Sequence, residues 1–412
     1  MRRARVAVAS VLAGLVGLPA LLTAGSTPAA AAPAPITIAF IVSQTGPAAP
    51  TLVGAADVFR ARIDLQNAQG GVNGHRLVPL VIDDQTSPTA VVTAIQEAIS
   101  KGAIGIVSGS SVFQYGAKYP QQAGIPVTGD SSDGPEWGTQ PYTNMFASDF
   151  GSLDPKYPVN TVYGKILKVL GAGRLATYGY GISPDSARHV FSVAQSFQRV
   201  GGSAPVQDAS IPFGGVDFTS AALAAKDKSI NAVWPNLLDA SNFALAQALQ
   251  QAGVKPKVVV FPTGYDPAII GSPVWSYVQG DYFVDIWHPF IYPNAGTRVM
   301  QAALIKYAHF TKSQFPTFGQ GEAWLGADLM IKGIQRAGTN PTSAKVIKAL
   351  RGIKAYNGNG LLVTTINYST IFGHDPTGCF WLFKAVSKGF VPYSPIPFCG
   401  TDIPGTSTAK AP

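Results

Sequence analysis

The segment 77-LVPLVIDDQTSPTAVVTAIQEAISKGAIGIV-107 decides the fold class. Residues 77–82 and 104–107 are short apolar runs, which predict two strands. Between them lies a predicted helix that Ser87 caps at its N-terminus. The inward face of this helix carries Val91, Ile95 and Ala98. A strand, a helix and a strand in this order predict a parallel α/β unit.

The same alternation extends outward in both directions. Short apolar runs and amphipathic stretches follow one another over residues 36–147 and again over residues 159–261. This pattern predicts two open, doubly wound α/β lobes. Three later helices, predicted at 297–310, 322–337 and 343–353, have no sheet of their own and should return to the first lobe.

Composition places the chain among globular proteins. Of 412 residues, 46% are hydrophobic and 13% are charged, which excludes a disordered or fibrous protein. The formal charge is +8, but three arginines lie in the first five residues. Removal of that segment leaves 27 basic against 22 acidic residues, a charge of +5. The basic residues are scattered singly, so we expect no nucleic-acid partner.

The N-terminus has the features of an export signal. A basic start is followed by an apolar stretch over residues 6–22 and by small residues at 27–32. We predict a signal peptide at 1–31. The alternative, an uncleaved membrane anchor, is disfavoured because Gly14, Gly17 and Pro19 interrupt the stretch. No cysteine precedes Cys379, which excludes a lipobox. We therefore expect a periplasmic or extracellular protein, neither lipid-anchored nor inserted in the membrane after cleavage.

Cys379 and Cys399 are the only cysteines in the sequence. An exported chain meets an oxidising compartment, so we predict that they form a disulfide. The bridge would close a loop of about 20 residues and stabilise the C-terminal region by about 3 kcal/mol. No metal-ligating motif accompanies them, and we expect no cofactor.

Several short segments resemble one known family. They are residues 38–41 (IAFI), 45–47 (TGP), 67–74 (NAQGGVNG), 83–84 (DD), 215–219 (GVDFT), 251–253 (QAG) and 336–339 (RAGT). In this order and spacing they resemble the extracellular solute-binding proteins of ABC importers, in the branched-chain amino-acid receptor family. The resemblance implies a monomer that captures a small ligand and delivers it to a membrane permease, without being an enzyme.

The resemblance also implies two Rossmann-like lobes joined by three crossings, at 147–150, 284–286 and 364–367. The first lobe would then comprise residues 36–148 and 285–365. The second would comprise residues 149–284 and 366–400, leaving a tail at 401–412.

Following the family motifs, two loops of the first lobe match those that bind a ligand carboxylate. They contribute Ser110, Ser111, Ser131, Ser132 and Asp133. Hydroxyl and backbone NH groups can donate hydrogen bonds to an anion without adding a permanent charge. Capping of the following helices explains the same residue types equally well.

On the second lobe, the family's amino-acid receptors have a carboxylate after the strand at 258–261, which binds the ligand ammonium. Thr263 occupies that position here, and Asp266 is the nearest acid. This departure favours an apolar or aromatic carboxylate over an α-amino acid. Tyr180, Trp234, Tyr265 and Trp287 are predicted to form aromatic walls of the cleft, or else to belong to the core of the lobes.

A second function remains open from the sequence. The fragments Gly129-Asp130-Ser131 and Asp285-Ile286-Trp287-His288 are similar to two blocks of the GDSL hydrolases. Ser131 would then be the nucleophile, His288 the base and Asp285 the group that orients it.

Overall fold

The computed structural model describes residues 33–131, 133–148, 158–370 and 378–406. The predicted signal peptide and Ser132 lie outside the described residues, as do residues 149 and 150 of the predicted crossing at 147–150.

The first lobe contains a five-stranded parallel sheet in the order β2-β1-β3-β4-β5. Its strands are β1 (Ile36–Val42), β2 (Leu77–Asp83), β3 (Gly105–Gly109), β4 (Val127–Gly129) and β5 (Met145–Ala147). The intervening helices are α1 (Ala55–Ala68), α2 (Ala90–Ser100) and α3 (Lys118–Ala123). In β1, Phe40 packs on Phe59 of α1 with ring centroids 4.8 Å apart. The neighbouring Ile41 joins a second cluster with Ile95 of α2, so apolar side chains cover both faces of the sheet.

The second lobe contains an eight-stranded mixed sheet in the order β12-β11-β10-β9-β8-β6-β7, with β13 paired to β11. Its strands are β6 (Arg174–Tyr180), β7 (Ser203–Ile211), β8 (Ala232–Val233), β9 (Val258–Phe261), β10 (Tyr282–Asp285), β11 (Cys379–Val386), β12 (Gly389–Pro392) and β13 (Phe398–Cys399). Its helices are α4 (Val162–Leu170), α5 (Pro184–Arg199), α6 (Thr219–Asp227), α7 (Asp239–Gln251) and α8 (Trp275–Val278). Strands β6 to β10 run parallel to one another, and β11 pairs with β10 and β12 in the antiparallel sense.

Three helices, α9 (Ala295–Tyr307), α10 (Phe318–Arg336) and α11 (Ser343–Arg351), follow β10 and return to the first lobe. Helix α10 packs on α1, β3 and β4. Its contact with β4 is close because a Cβ at Gly326 would lie 3.0 Å from Cα of Gly129. The hydroxyl of Thr128 donates a 2.7 Å hydrogen bond to the carbonyl of Gly326.

The contacts at the C-terminal end differ from the predicted lobe boundaries. Ile366 pairs with Tyr356, and the hydroxyl of Tyr368 donates to the carbonyl of Ala147, so both residues lie with the first lobe. The predicted tail packs on the second lobe, where the NH of Ile403 donates to the carbonyl of Val159 over 2.8 Å. These contacts depend on backbone pairing between distant segments, which hydrophobic periodicity does not reveal.

The predicted disulfide is present. Cys379 and Cys399 are register partners on the antiparallel strands β11 and β13, and a bond joins their sulfur atoms. Lys165 of α4 donates a 3.0 Å hydrogen bond to the carbonyl of Cys399. The bridge therefore fixes the last described segment to the second lobe.

None of the helices in the described part of the chain combines the length and the apolar character needed to cross a membrane.

Candidate functional site

The carboxyl ends of β1, β3 and β4 lie side by side in the first lobe, because these strands are neighbours in one parallel sheet. Ser110 and Ser111 follow β3 directly, and Asp130 and Ser131 follow β4. Ser110 and Ser131 are almost fully buried. The structure thus brings the two predicted serine loops to one edge of the sheet.

Local hydrogen bonds fix the loop after β3. The hydroxyl of Ser110 accepts from the NH of Val112 at 3.2 Å, and the NH of Ser110 donates to the hydroxyl of Ser108 at 3.3 Å. The NH of Ser111 donates to the hydroxyl of Ser43, also at 3.3 Å. These contacts give the serines a turn-forming role and hold their loop in a defined conformation.

Asp84 lies beneath this loop, at the end of β2, and is fully buried. Burial raises the pKa of its carboxyl group, and hydrogen bonds with the hydroxyls of Ser110 and Ser43 lower it in part. The NH of Thr86 donates to the carboxylate of Asp84 at 2.8 Å, which fixes the loop that follows β2.

The loop after β4 depends on Gly129. Its φ angle of +137° lies outside the range that other residues adopt readily. A Cβ at this position would also lie 2.2 Å from the carbonyl oxygen of Ser108. Glycine is therefore required at the entrance of the Asp130–Ser131 loop.

Asp133 is buried and binds within its own lobe. One carboxylate oxygen accepts from the NH of Gln114 at 2.9 Å, and the other accepts from the indole NH of Trp137 at 2.6 Å. Burial, followed by the neighbouring Glu136, raises the pKa of Asp133 well above its usual range. These contacts make Asp133 a structural support of the loop.

Helix α5 of the second lobe carries charges that face this loop. Burial raises the pKa of Asp185 to about 7; Arg188 opposes that shift, whereas Asp130 and Glu136 add to it. Burial likewise raises the pKa of Glu136 to about 7, and Arg188 again opposes the shift. The two lobes therefore interact electrostatically at this edge.

Two of the predicted aromatic walls are buried in the second lobe. The hydroxyl of Tyr180 donates to the hydroxyl of Ser241 at 2.7 Å and accepts from the NH of Leu238 at 3.0 Å. Trp234 is 1% exposed, and its ring packs edge-on against that of Tyr163 at 5.5 Å. Both side chains thus serve the packing of the lobe.

Tyr265 is covered on both faces. Its ring stacks on Phe383 of β11 at 4.1 Å and on Phe315, from the segment between α9 and α10, at 4.5 Å. A ligand ring therefore has no free face of Tyr265 on which to stack in this conformation.

Trp287 follows β10 and packs on the first lobe. It is 4% exposed, and its ring lies 6.2 Å from that of Phe318. A Cβ at Gly321 of α10 would lie 2.5 Å from the indole ring, so the glycine makes room for it.

The loop after β9 uses its polar groups locally. The hydroxyl of Thr263 donates to the carbonyl of Leu237 at 3.2 Å and accepts from the amide of Asn242 at 3.0 Å. Asp266 accepts from the NH of Ala268 at 2.7 Å and caps the short 3₁₀ helix Pro267–Ile269. Asp266 is half-buried.

An acid that was not predicted from the sequence lies beside this loop. Asp239 is the first residue of α7 and is 8% exposed. Burial raises its pKa to about 6; hydrogen bonds with Thr263 and Thr51 lower it, and Asp266 raises it further. An acid in the first turn of a helix is common, so the sequence carries no distinctive signal for this residue.

The two lobes touch beside Asp239. The hydroxyl of Thr51, in the short 3₁₀ helix Ala49–Leu52 of the first lobe, accepts a 3.1 Å hydrogen bond from the NH of Asp239. A Cβ at Gly214 of the second lobe would lie 2.5 Å from Cβ of Pro47. The lobes are thus in contact along one edge of the space between them.

The arrangement around His288 does not support a hydrolase. Nε2 of His288 lies 2.5 Å from the carbonyl of Tyr292, which can only accept, so this nitrogen carries a proton. Asp285 accepts from the NH groups of Ile286 at 2.7 Å and Trp287 at 3.5 Å. Among the described contacts, neither the orienting nor the base role that a triad requires is filled.

Comparison with known families agrees with this two-lobed architecture. The family described as "Periplasmic binding protein" matches residues 35–389. The chain belongs to this family. Its members are exported binding proteins, not enzymes, and bind small molecules for ABC transporters.

Several solved structures share this fold. A branched-chain amino acid ABC transporter protein from Thermus thermophilus, with bound valine, has a TM-score of 0.72 at 16% identity, covering 88% of this chain and 96% of its own. A solute-binding protein from R. palustris, in complex with benzoate, has a TM-score of 0.69 at 15% identity, covering 90% and 98%. A fatty acid ABC transporter substrate-binding protein from Thermomonospora curvata has a TM-score of 0.72 at 16% identity, covering 90% and 93%. No curated protein sequence matches the chain. Ligands of such different chemistry on one fold mean that the fold does not choose the ligand.

Proposed function

We propose that this periplasmic binding protein captures a small carboxylate between its lobes and delivers it to the permease of an ABC importer. The observation that carries the proposal is the meeting of two serine loops at the carboxyl edge of one lobe, opposite a second lobe that touches it. Ligands of open α/β sheets bind at such edges. Ser110, Ser111, Ser131 and Ser132 are the proposed carboxylate-binding residues.

The loop after β9 supports a ligand without an amino group. Thr263 provides a hydroxyl where the family's amino-acid receptors have an acid, and Asp266 is engaged as a cap. Asp239, the buried acid beside this loop, is covered by Thr51 of the first lobe, and a buried ammonium without a partner would cost several kcal/mol. We therefore favour an apolar or aromatic carboxylate, with a branched-chain amino acid as the second candidate.

Calorimetric titration with matched pairs tests this choice. We expect 4-methylpentanoate to bind more tightly than leucine, and phenylpropanoate more tightly than phenylalanine. The opposite order, abolished by Asp266→Asn, would show that an amino acid is the ligand and that Asp266 binds its ammonium.

A control separates binding from catalysis. We expect the purified mature protein not to hydrolyse chromogenic short-chain esters. Turnover that disappears in Ser131→Ala would contradict a pure binding function.

We further propose that the mature protein begins at Ala32, is monomeric and is released outside the cytoplasmic membrane. Intact mass and light scattering of the secreted protein test all three points. A retained N-terminal segment or a stable dimer would contradict them.

A further inference from the structure

The contact between the lobes buries an acid. Thr51 is 2% exposed and lies over the first residue of α7, so the first lobe covers Asp239. One carboxylate oxygen of Asp239, Oδ1, is buried and has no hydrogen-bond partner in the described part of the chain. A charged oxygen in that state has lost water without gaining a donor, which is unfavourable.

The groups around Asp239 do not neutralise it. Thr51 faces it from the first lobe, Thr263 and Asp266 face it from the loop after β9, and Tyr180 faces it from β6. Asp266 has the same charge as Asp239, and the hydroxyl groups are neutral. The N-terminus of α7 favours an anion, but this effect is modest.

We propose that Thr51 and Asp239 form a pH-sensitive latch, in which closure of the lobes buries Asp239 as the neutral acid and takes up a proton. The latch goes beyond the proposed function, although its effect on ligand affinity rests on it. Opening would return the carboxyl group to water and release the proton.

The direction of the pH dependence follows from the pKa of Asp239, which is about 6 in this structure against an ordinary value of 3.8. The closed form binds the proton more tightly than the open form, so closure becomes more favourable as pH falls through 6. Closure gains nothing further once the pH is below the pKa of Asp239 in the open form, because both forms are then protonated. This difference in pKa predicts that the equilibrium constant for closure is about tenfold larger at about pH 5 than at about pH 7.5.

Small-angle scattering of the ligand-free mature protein tests the latch without any solute. We expect the radius of gyration of the wild type to decrease from about pH 7.5 to about pH 5. Asp239→Asn resembles the protonated acid and should be compact at both pH values. Thr51→Val, which keeps the acid but removes the acceptor from the first lobe, should be less compact than the wild type at about pH 5.

Titration calorimetry with 4-methylpentanoate and leucine provides the second measurement. For whichever probe binds, Asp239→Asn should bind more tightly than the wild type at both pH values, and this advantage should shrink about tenfold from about pH 7.5 to about pH 5. Other buried acids, such as Glu136 and Asp185, affect both proteins alike, so the difference between them isolates Asp239. The exposed Asp57→Asn serves as the matched control and should behave as the wild type.

The outcomes are separable. If neither probe binds, the proposed ligand class is wrong, and scattering still decides the latch. An Asp239→Asn protein that folds, as judged by circular dichroism, but keeps the wild-type pH dependence of compactness would overturn the latch.

Discussion

His75 shows how a single side chain can report its own protonation state. Its Nδ1 lies 2.7 Å from the carbonyl of Ala34, and its Nε2 lies 2.8 Å from the carbonyl of Thr339. Carbonyl oxygens can only accept, so both ring nitrogens must donate and the imidazole is a cation. The hydrogen bonds to Ala34 and then Thr339 raise the pKa of His75, and burial opposes them slightly.

A raised folded-state pKa means that His75 stabilises the fold below the unfolded pKa of 6.5, and that this stability is lost as pH rises through the folded pKa. We therefore expect His75→Ala to lower the melting temperature more at about pH 5.5 than at about pH 8.5. Thermal unfolding of both proteins at the two pH values measures the effect. An equal decrease at both would show that folding does not raise the pKa of His75.

The serine loops of the candidate site could be predicted from the sequence, whereas the position of Asp239 could not. Ser110 bonds to residues two positions away, so its place after a strand predicts its surroundings. Asp239 depends on Thr51, which is 188 positions distant. No local pattern encodes a contact of that range, and the site's second lobe was accordingly the less predictable half.

A buried ion pair joins α1 to α10. Arg62 donates from two nitrogens to one carboxylate oxygen of Asp328, at 3.2 and 3.0 Å, and its guanidinium lies 5.7 Å from the ring centre of Trp324. The side chain of Asp328 is 1% exposed. Removing one partner of such a pair leaves a buried charge without compensation.

We expect Asp328→Asn to lower the free energy of unfolding by about 3 kcal/mol. The matched control is Asp57→Asn, which breaks the exposed pair of Asp57 with Arg60 on the same α1 helix and should cost about 0.5 kcal/mol or less. Urea denaturation of the three proteins provides the comparison. Equal losses for the two variants would show that the buried pair adds nothing specific.

The alternation of strands and helices was predictable for most elements, because buried parallel strands and amphipathic helices have different periods. Strand β10 was an exception. No strand was predicted there, and its last two residues, Val284 and Asp285, fall within the predicted crossing at 284–286, whereas Tyr282 pairs with Val260 of β9 and with Lys384 of β11. One segment can end a strand and also begin a crossing between the lobes. The pattern of hydrophobic residues does not distinguish the two.

The chain completes the last helices of the first lobe before it returns to the second lobe. Its C-terminal segment must therefore be held on the second lobe by contacts of its own. Strand β13 pairs with β11, and residues 400–406 bond to the start of α4. The NH of Thr161 donates to the carbonyl of Thr401 at 2.9 Å, and Lys165 donates to the carbonyl of Cys399 at 3.0 Å. The disulfide between Cys379 and Cys399 connects this segment to β11, next to the edge strand β12.

Because the bridge closes a loop of about 20 residues, Cys379→Ser combined with Cys399→Ser should lower the free energy of unfolding by about 3 kcal/mol. Solute binding should persist in the folded double variant, since the serine loops belong to the other lobe. Urea denaturation and calorimetry under non-reducing conditions measure both quantities. Mass spectrometry of the secreted wild type should show no free thiol. Two free thiols, or an unchanged unfolding midpoint in the double variant, would contradict this prediction. Hydrogen bonding by residues 400–406 would then fix this segment without the bridge.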